Sequence, residues 1–362
     1  GPVEREPMTN VIDLKSRRQD QAIDFASLST LFAHGRRAKD DVFWLKENAE
    51  WLGILANMDA DKPRDAIAPY EEIYQDLAAK ISFFPQYYRF FLSLCLDLED
   101  LGLRGDQGAI LCHWVDRHQF ARAELSDLQR AEAERLLARR ICVRRDPSLQ
   151  DRLENFISRS MTFALPNKKA AYELAHIVFY LADYGQQDPR LSDAAHISLD
   201  NAGLLAFLDQ DADLLGEICA AKRLAGEVPD KVWESFVCQA HNDCRMGHIG
   251  MAGSADGYHT YLVSGWLAQM TGRKAFERAI PAGKVAIHAP AAGNGALRGL
   301  SQALFDYGRG RSADWGKMRA RLIATMPEDG QAILEAAERS TYRFDAFFEG
   351  FSRAADNGNG LI

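Results

Sequence analysis

An all-α fold is what this 362-residue chain predicts, and three observations predict it. Apolar residues recur at helical spacing over almost the whole length. Capping residues and stop glycines punctuate that spacing at short intervals. Strand-like alternation is confined to AGKVAIHAP (282–290), where a loop is the other reading. The periodicity marks about sixteen helices, at roughly 22–33, 40–57, 67–81, 86–100, 107–119, 126–141, 148–160 and 168–184 in the first half. The second half continues with helices at roughly 199–208, 211–225, 229–241, 257–271, 294–308, 313–325, 329–340 and 342–354. Pro85 sits near a first turn, Ser126 and Asn167 stand as N-caps, and Gly102, Gly185, Gly272 and Gly308 stand where helices stop.

Helices in this number can form a solenoid, a bundle or a closed double ring. No repeat of fixed period is visible, which disfavours tetratricopeptide, HEAT and ankyrin arrays. Helical periodicity breaks near 160–168, at MTFALPNKK, and divides the chain into an N-terminal helical part (20–160) and a C-terminal part (161–362) that carries the candidate site. Gly1–Pro7 ahead of Met8 reads as a cloning scar, and residues 1–19 as a disordered N-terminus.

A hydrophobic content of 47% is enough to bury a sizeable core, and the net charge of −8 argues against nucleic acid as a partner. No apolar run is long enough to span a membrane, and the charged start is unlike a secretory peptide, so a cytoplasmic protein is expected. Six cysteines in such a setting are expected as reduced thiols or ligands, with Cys95, Cys142 and Cys219 in the core.

The densest chemistry lies between Cys238 and Thr260, which hold three of the nine histidines (His241, His248, His259) and two of the six cysteines (Cys238, Cys244). Nitrogen and sulfur donors crowded in this way suit zinc or another transition metal. If a helix continued through them, Cys238, His241, Cys244 and His248 would share one face but span about 15 Å, so only a pair such as His241 with Cys244, or Cys244 with His248, could meet one ion. The bland alternative is a satisfied core followed by a glycine-rich loop. A second candidate is KKAAYELAHIVFYLADYGQ, where Tyr172, His176, Phe179, Tyr180 and Asp183 share one helical sector opposite an aliphatic face. That sector either lines a cavity or packs as core, with tyrosine and histidine satisfying each other.

SADGYHTYLVSGWLAQ (254–269) resembles a segment of protein prenyltransferase β subunits, matched at Asp256, Tyr258, His259, Thr260, Ser264 and Gly265. The resemblance implies an α/α toroid in the second half, a fold shared with terpene cyclases and lanthionine synthetases, and His259 as a zinc ligand. The family's earlier Asp-x-Cys pair has no counterpart in 191–209, so Cys244 or Cys238 would replace that thiolate and His176 or Asp183 would complete the sphere.

Other stretches carry less. In CHWVDRHQF, His113 and His118 point away from each other on a surface helix. The aromatics of SFFPQYYRFFLSLC read as core or an oligomer face, and Arg135, Arg139, Arg140, Arg144, Arg145 and Arg152 as a solvated face with local ion pairs. APAAGNGALRGL (289–300) lacks the residues of a phosphate loop, and no nucleotide cofactor is expected.

Two functions are expected side by side. One is a metal-dependent transferase or cyclase-like enzyme with an aromatic central cavity for an apolar, isoprenoid-like or peptide substrate. There His259, His176, Cys244, His241, His248 and Cys238 supply ligands, Asp183 acts as base or ligand, and Tyr180 and Tyr258 donate hydrogen bonds. The other is a non-catalytic helical module that binds a protein partner and whose histidines are structural.

Overall fold

The computed structural model describes residues 23–249, 256–291 and 295–354. The expectations for residues 1–19 and for the glycines at 250 and 253 lie outside them. The described residues hold sixteen α-helices, as the periodicity predicts, together with short 3-10 turns and one two-stranded ribbon. The first half holds α1 (Phe25–His34), α2 (Val42–Asn57), α3 (Glu71–Phe83), α4 (Tyr88–Asp100), α5 (Gln107–Arg117), α6 (Asp127–Ala138), α7 (Leu149–Ile157) and α8 (Lys168–Leu181). Then come α9 (Asp193–Leu208), α10 (Ala212–Leu224), α11 (Lys231–Asp243), β1 (Arg245–His248), α12 (Tyr258–Met270) and β2 (Val285–His288). The chain closes with α13 (Leu297–Tyr307), α14 (Trp315–Thr325), α15 (Glu328–Ser340) and α16 (Phe344–Phe351). No helix among them is long and apolar enough to cross a membrane.

Local chemistry accounts for the boundaries. The Ser126 hydroxyl accepts from Gln129 N–H at the start of α6, and the Asn167 carbonyl from Ala170 N–H at the start of α8. Gly102, Gly185, Gly272 and Gly308 all have positive φ where they end helical segments. Three boundaries depart from expectation. Ser192 caps α9 through Ala195 N–H, so this helix begins at Asp193 and not near 199. Helix α8 stops at Leu181, because Asp183 and Tyr184 turn left-handed (φ 45° and 51°), which takes Asp183 off the face it was expected to share with His176. The strand-like 285–288 finds an antiparallel partner in 245–248, with Arg245 opposite His288 and His248 opposite Val285.

Two side-chain hubs order the N-terminal core. Asn48, fully buried on α2, donates to the Phe32 and Trp44 carbonyls and accepts from the Tyr70 hydroxyl at 2.7 Å. Trp51 on the same helix is sealed from water against Phe32 and Phe276; burying such a ring contributes about 2–3 kcal/mol. Nearby, Arg36 is buried between Glu47 (2.6 Å) and Asp256 (2.7 Å) and also donates to the Val285 carbonyl. Asp256 in turn accepts from the N–H groups of Tyr258 and Ile287, so one ion-pair chain joins α1, α2, the ribbon and the first turn of α12.

In the second half α8, α9, α11 and α12 pack around α10. Gly216 allows the approach: a Cβ there would lie 3.1 Å from Val263 on α12 and 3.3 Å from Val237 on α11. Two core expectations are corrected. Cys142 is exposed, beyond the end of α6, whereas Cys95 and Cys219 are buried and all six thiols are free. The arginine run is less solvated than expected, since Arg139 reaches the buried Asp97 at 2.9 Å as well as Asp100.

Gly265 on α12 sits where a Cβ would fall 2.3 Å from the Phe276 ring and 2.7 Å from His241. Gly265→Ala is therefore expected to destabilise the fold by about 1–3 kcal/mol through overpacking, read as a lower urea midpoint at unchanged slope.

Candidate functional site

The cluster is built on four helices. Helix α10 carries Asp213 and Glu217 one turn apart, so both face the same way, towards His176 on α8 and His259 at the start of α12. Glu50 reaches in from α2. Asp213 is the orienting group: its Oδ1 accepts from His259 Nδ1 at 2.7 Å and from the Thr260 hydroxyl at 2.9 Å, and its Oδ2 accepts from the Tyr172 hydroxyl at 2.6 Å. This fixes the His259 ring so that Nε2 faces Glu217 Oε1 at 3.2 Å and Glu50 Oε1 at 3.7 Å. His176 Nε2 meets the other side of Glu217, at 3.1–3.2 Å from its two oxygens.

A positive charge on His259 suits these groups. With its Nδ1 proton given to Asp213, a neutral His259 would turn a bare lone pair towards the Glu217 carboxylate. Burial favours the neutral ring, but Glu50, Asp213 and Glu217 outweigh it and push the His259 pKa up to about 12. His176 is raised as well, burial being outweighed by Glu217. Burial pushes the Asp213 and Glu217 carboxyls up, yet their histidine contacts hold both below the ordinary range. Glu50 goes the other way. Burial, opposed by His259 and reinforced by Glu217 and Asp213, pushes its carboxyl up to about 8. Its Oε1 is cut off from solvent and makes no hydrogen bond among the described residues, while the buried Oε2 of Glu217 has its ion pair with His176 at 3.1 Å.

The cluster opens into a cavity of about 410 Å³, within the range of small-molecule sites. Phe90, Phe179, Tyr180, Tyr184 and Trp266 form much of its wall, with Tyr258 beside His259, and Arg89, Glu132 and Arg135 place charge along one side. The rings are in mutual contact: Phe179 meets Trp266 edge-on at 5.3 Å, and Tyr184 lies 6.1 Å from Trp266.

Of the residues singled out in the sequence, His176, Phe179, Tyr180, Tyr258 and His259 line this cavity together, with Arg135. The remaining candidate ligands and Asp183 lie elsewhere. His241 is buried with both ring nitrogens used: Nδ1 faces the Tyr261 carbonyl and Ser264 hydroxyl, and Nε2 accepts from Phe276 N–H at 2.9 Å. Burial lowers its pKa to about 4. Cys244 is buried on the Ala240 carbonyl, and Cys238 on the Arg273 guanidinium. His248 is exposed at the end of β1. The expected pairs, His241 with Cys244 or Cys244 with His248, have their donors engaged elsewhere: the helix ends at Asp243, His241 and Cys244 are bonded to backbone and packing partners, and His248 is exposed. Asp183, expected as base or ligand, is paired with Arg135 at 2.7 Å. Nor do tyrosine and histidine on α8 satisfy each other, for Tyr172 and His176 both turn to carboxylates of α10. Among the described residues, no group of three or more His, Cys, Asp or Glu side chains is placed to hold a metal ion as it stands.

Glu50, Asp213 and Glu217 were not anticipated. For Glu217 a signal was present: a lone carboxylate in LLGEICAA, on a helix otherwise apolar there.

The cluster makes stability depend on pH. Glu50 keeps its proton to about pH 8 when folded but only to its ordinary 4.5 when unfolded, so over that window the folded state holds the extra proton and stability falls as pH rises. His259 acts in the same direction from its ordinary 6.5 towards 12. Glu50→Gln is expected to flatten the slope by at most about 1.4 kcal/mol per pH unit, measured by urea unfolding between about pH 5 and about pH 8.

No curated protein and no solved structure shows a significant match to the chain. Residues 8–354 match the family model described as a domain of unknown function (DUF6902), and with nearly its whole length covered the chain belongs to that family.

Proposed function

We propose that the cavity is an enzyme active site in which Glu50 moves a proton on a small, largely apolar substrate while His259 supplies a fixed positive charge. The observation that carries this reading is the pairing itself: a carboxyl with one oxygen sealed from water and unbonded, 3.7 Å from an imidazole that Asp213 and Glu217 hold. A carboxyl that titrates near neutral pH suits proton transfer in either direction. Acting as base, Glu50 takes a proton from a carbon beside a carbonyl. The electron pair of the broken C–H bond passes to the carbonyl oxygen, where the nearby imidazolium stabilises it. In a β,γ-unsaturated ketone, return of the proton to the γ-carbon, with the double bond moving into conjugation, completes an isomerisation without a further reactant. The aromatic walls suit a hydrocarbon body and keep water from the intermediate.

Exchange into deuterium oxide tests this with a panel of aryl and branched ketones, read by mass spectrometry. Exchange is expected to rise with pH and level off above about pH 8, as Glu50 ionises, and to fall about 100-fold or more in Glu50→Gln. Exchange no faster than buffer, or unchanged in Glu50→Gln, overturns the proposal.

A second reading replaces the proton on His259 Nε2 by a divalent cation such as zinc. In its favour, the Nε2 atoms of His176 and His259 converge on Glu217 from two helices, Glu50 Oε1 makes no hydrogen bond among the described residues, and Asp213 orients His259 as an outer carboxylate orients a ligating histidine. The side chains now touch one another, so the cation would have to displace the proton and part them. Elemental analysis after dialysis against zinc chloride separates the two readings. About one zinc per chain, lost in both His176→Ala and Glu217→Gln, favours the cation; a metal-free protein with a His259 ring still protonated by NMR above about pH 9 favours the proton.

A further inference from the structure

Arg135 on α6 lines the cavity with a side chain only 15% exposed, and two contacts hold it. Its Nε donates to Asp183 Oδ1 at 2.7 Å, and its guanidinium carbon stacks 4.5 Å from the centre of the Tyr184 ring. The edge carrying Nη1 and Nη2 makes no hydrogen bond among the described residues. Asp183 and Tyr184 both adopt the left-handed conformation to make these contacts, a costly choice for non-glycine residues. Among the neighbouring charges, Arg89 and Asp97 are already paired. Arg89 is held by Glu124 and Glu132, Asp97 by Arg139, and Lys46 is exposed over the Phe43 ring. From Arg135 an aromatic wall leads to the cluster, with Tyr184 6.2 Å from Tyr180 and Tyr180 6.4 Å from His176.

We propose that Arg135 is the anion anchor of the cavity, which takes a monocarboxylate with an aromatic or otherwise apolar body. The carboxylate lies along the Nη1–Nη2 edge, where the planar guanidinium can hold both oxygens. The body lies against Tyr180 and Tyr184, which delivers the opposite end of the molecule to Glu50 and His259. The reaction at that end rests on the proton-transfer reading, whereas the anchor does not.

The test compares 3-phenylpropanoate with its neutral amide, 3-phenylpropanamide, by calorimetry or NMR titration near neutral pH. The wild-type chain is expected to bind the acid about 10-fold or more tightly than the amide, the difference a charged hydrogen-bond pair supplies. Arg135→Gln abolishes the preference and Arg135→Lys retains part of it; circular dichroism shows whether each variant is folded, and the lysine variant decides should the glutamine one unfold. Equal affinities in the wild type, no binding of the acid at millimolar concentration, or a preference that survives Arg135→Gln overturns the anchor. Glu50→Gln keeps the preference for the acid. If that preference is present while deuterium exchange is absent, the proton-transfer reading fails and the anchor stands.

Discussion

A carboxylate buried in the middle of a helical protein has to be neutralised, and the site follows from how Glu217 meets that constraint. It is 2% exposed on α10, the helix around which the second half packs. An unpaired charge at such depth would cost several kcal/mol. Two imidazoles on separate helices compensate it, so α8 and α12 are drawn to the same point on α10. Asp213, one turn earlier, then sets the orientation of His259. Glu50, beside this group, keeps its proton near neutral pH chiefly because burial disfavours its charge, with Glu217 and Asp213 adding to that against His259.

The rest of the molecule holds this arrangement in register. His259 lies in the first turn of α12, whose entry is set by Asp256 through its bonds to Arg36 and to two backbone amides. Arg36 is sealed against Glu47, three residues before Glu50 on α2. The same ion-pair chain that closes the N-terminal core onto the ribbon therefore positions both Glu50 and His259. In the segment resembling prenyltransferase β subunits, Asp256 serves this clamp, Thr260 bonds Asp213, and Gly265 admits the Phe276 ring. Each matched residue discussed has a packing or orienting role in this chain.

Much of the fold was legible in residues. Apolar spacing places the helices, Ser126 and Asn167 do cap, and the four stop glycines have the positive φ that favours glycine. What escaped was set by non-local partners. The strand at 245–248 exists only because 285–288 lies beside it. The turn at Asp183 is stabilised by Arg135, 48 residues earlier in the chain. For the site, His176, His259, Tyr180 and Tyr258 were legible as residues of unusual chemistry on helical faces. Their carboxylate partners were not, because glutamate and aspartate are frequent on every helix surface and nothing local separates a buried one from a solvated one, apart from the apolar neighbours of Glu217.

The sequence alone determined the all-α class, the number of helices and their approximate limits, since periodicity and capping act over a few residues and need no partner. It also showed that donor atoms are concentrated between 238 and 260, though not which of them share a site. Tertiary structure decided that. It spent His241, Cys238 and Cys244 on packing, left His248 at the surface, and assembled His259 with His176, Glu217, Asp213 and Glu50 from four helices. The physical reason is that compensation of a buried charge operates through space, over a few ångströms, and is indifferent to distance along the chain.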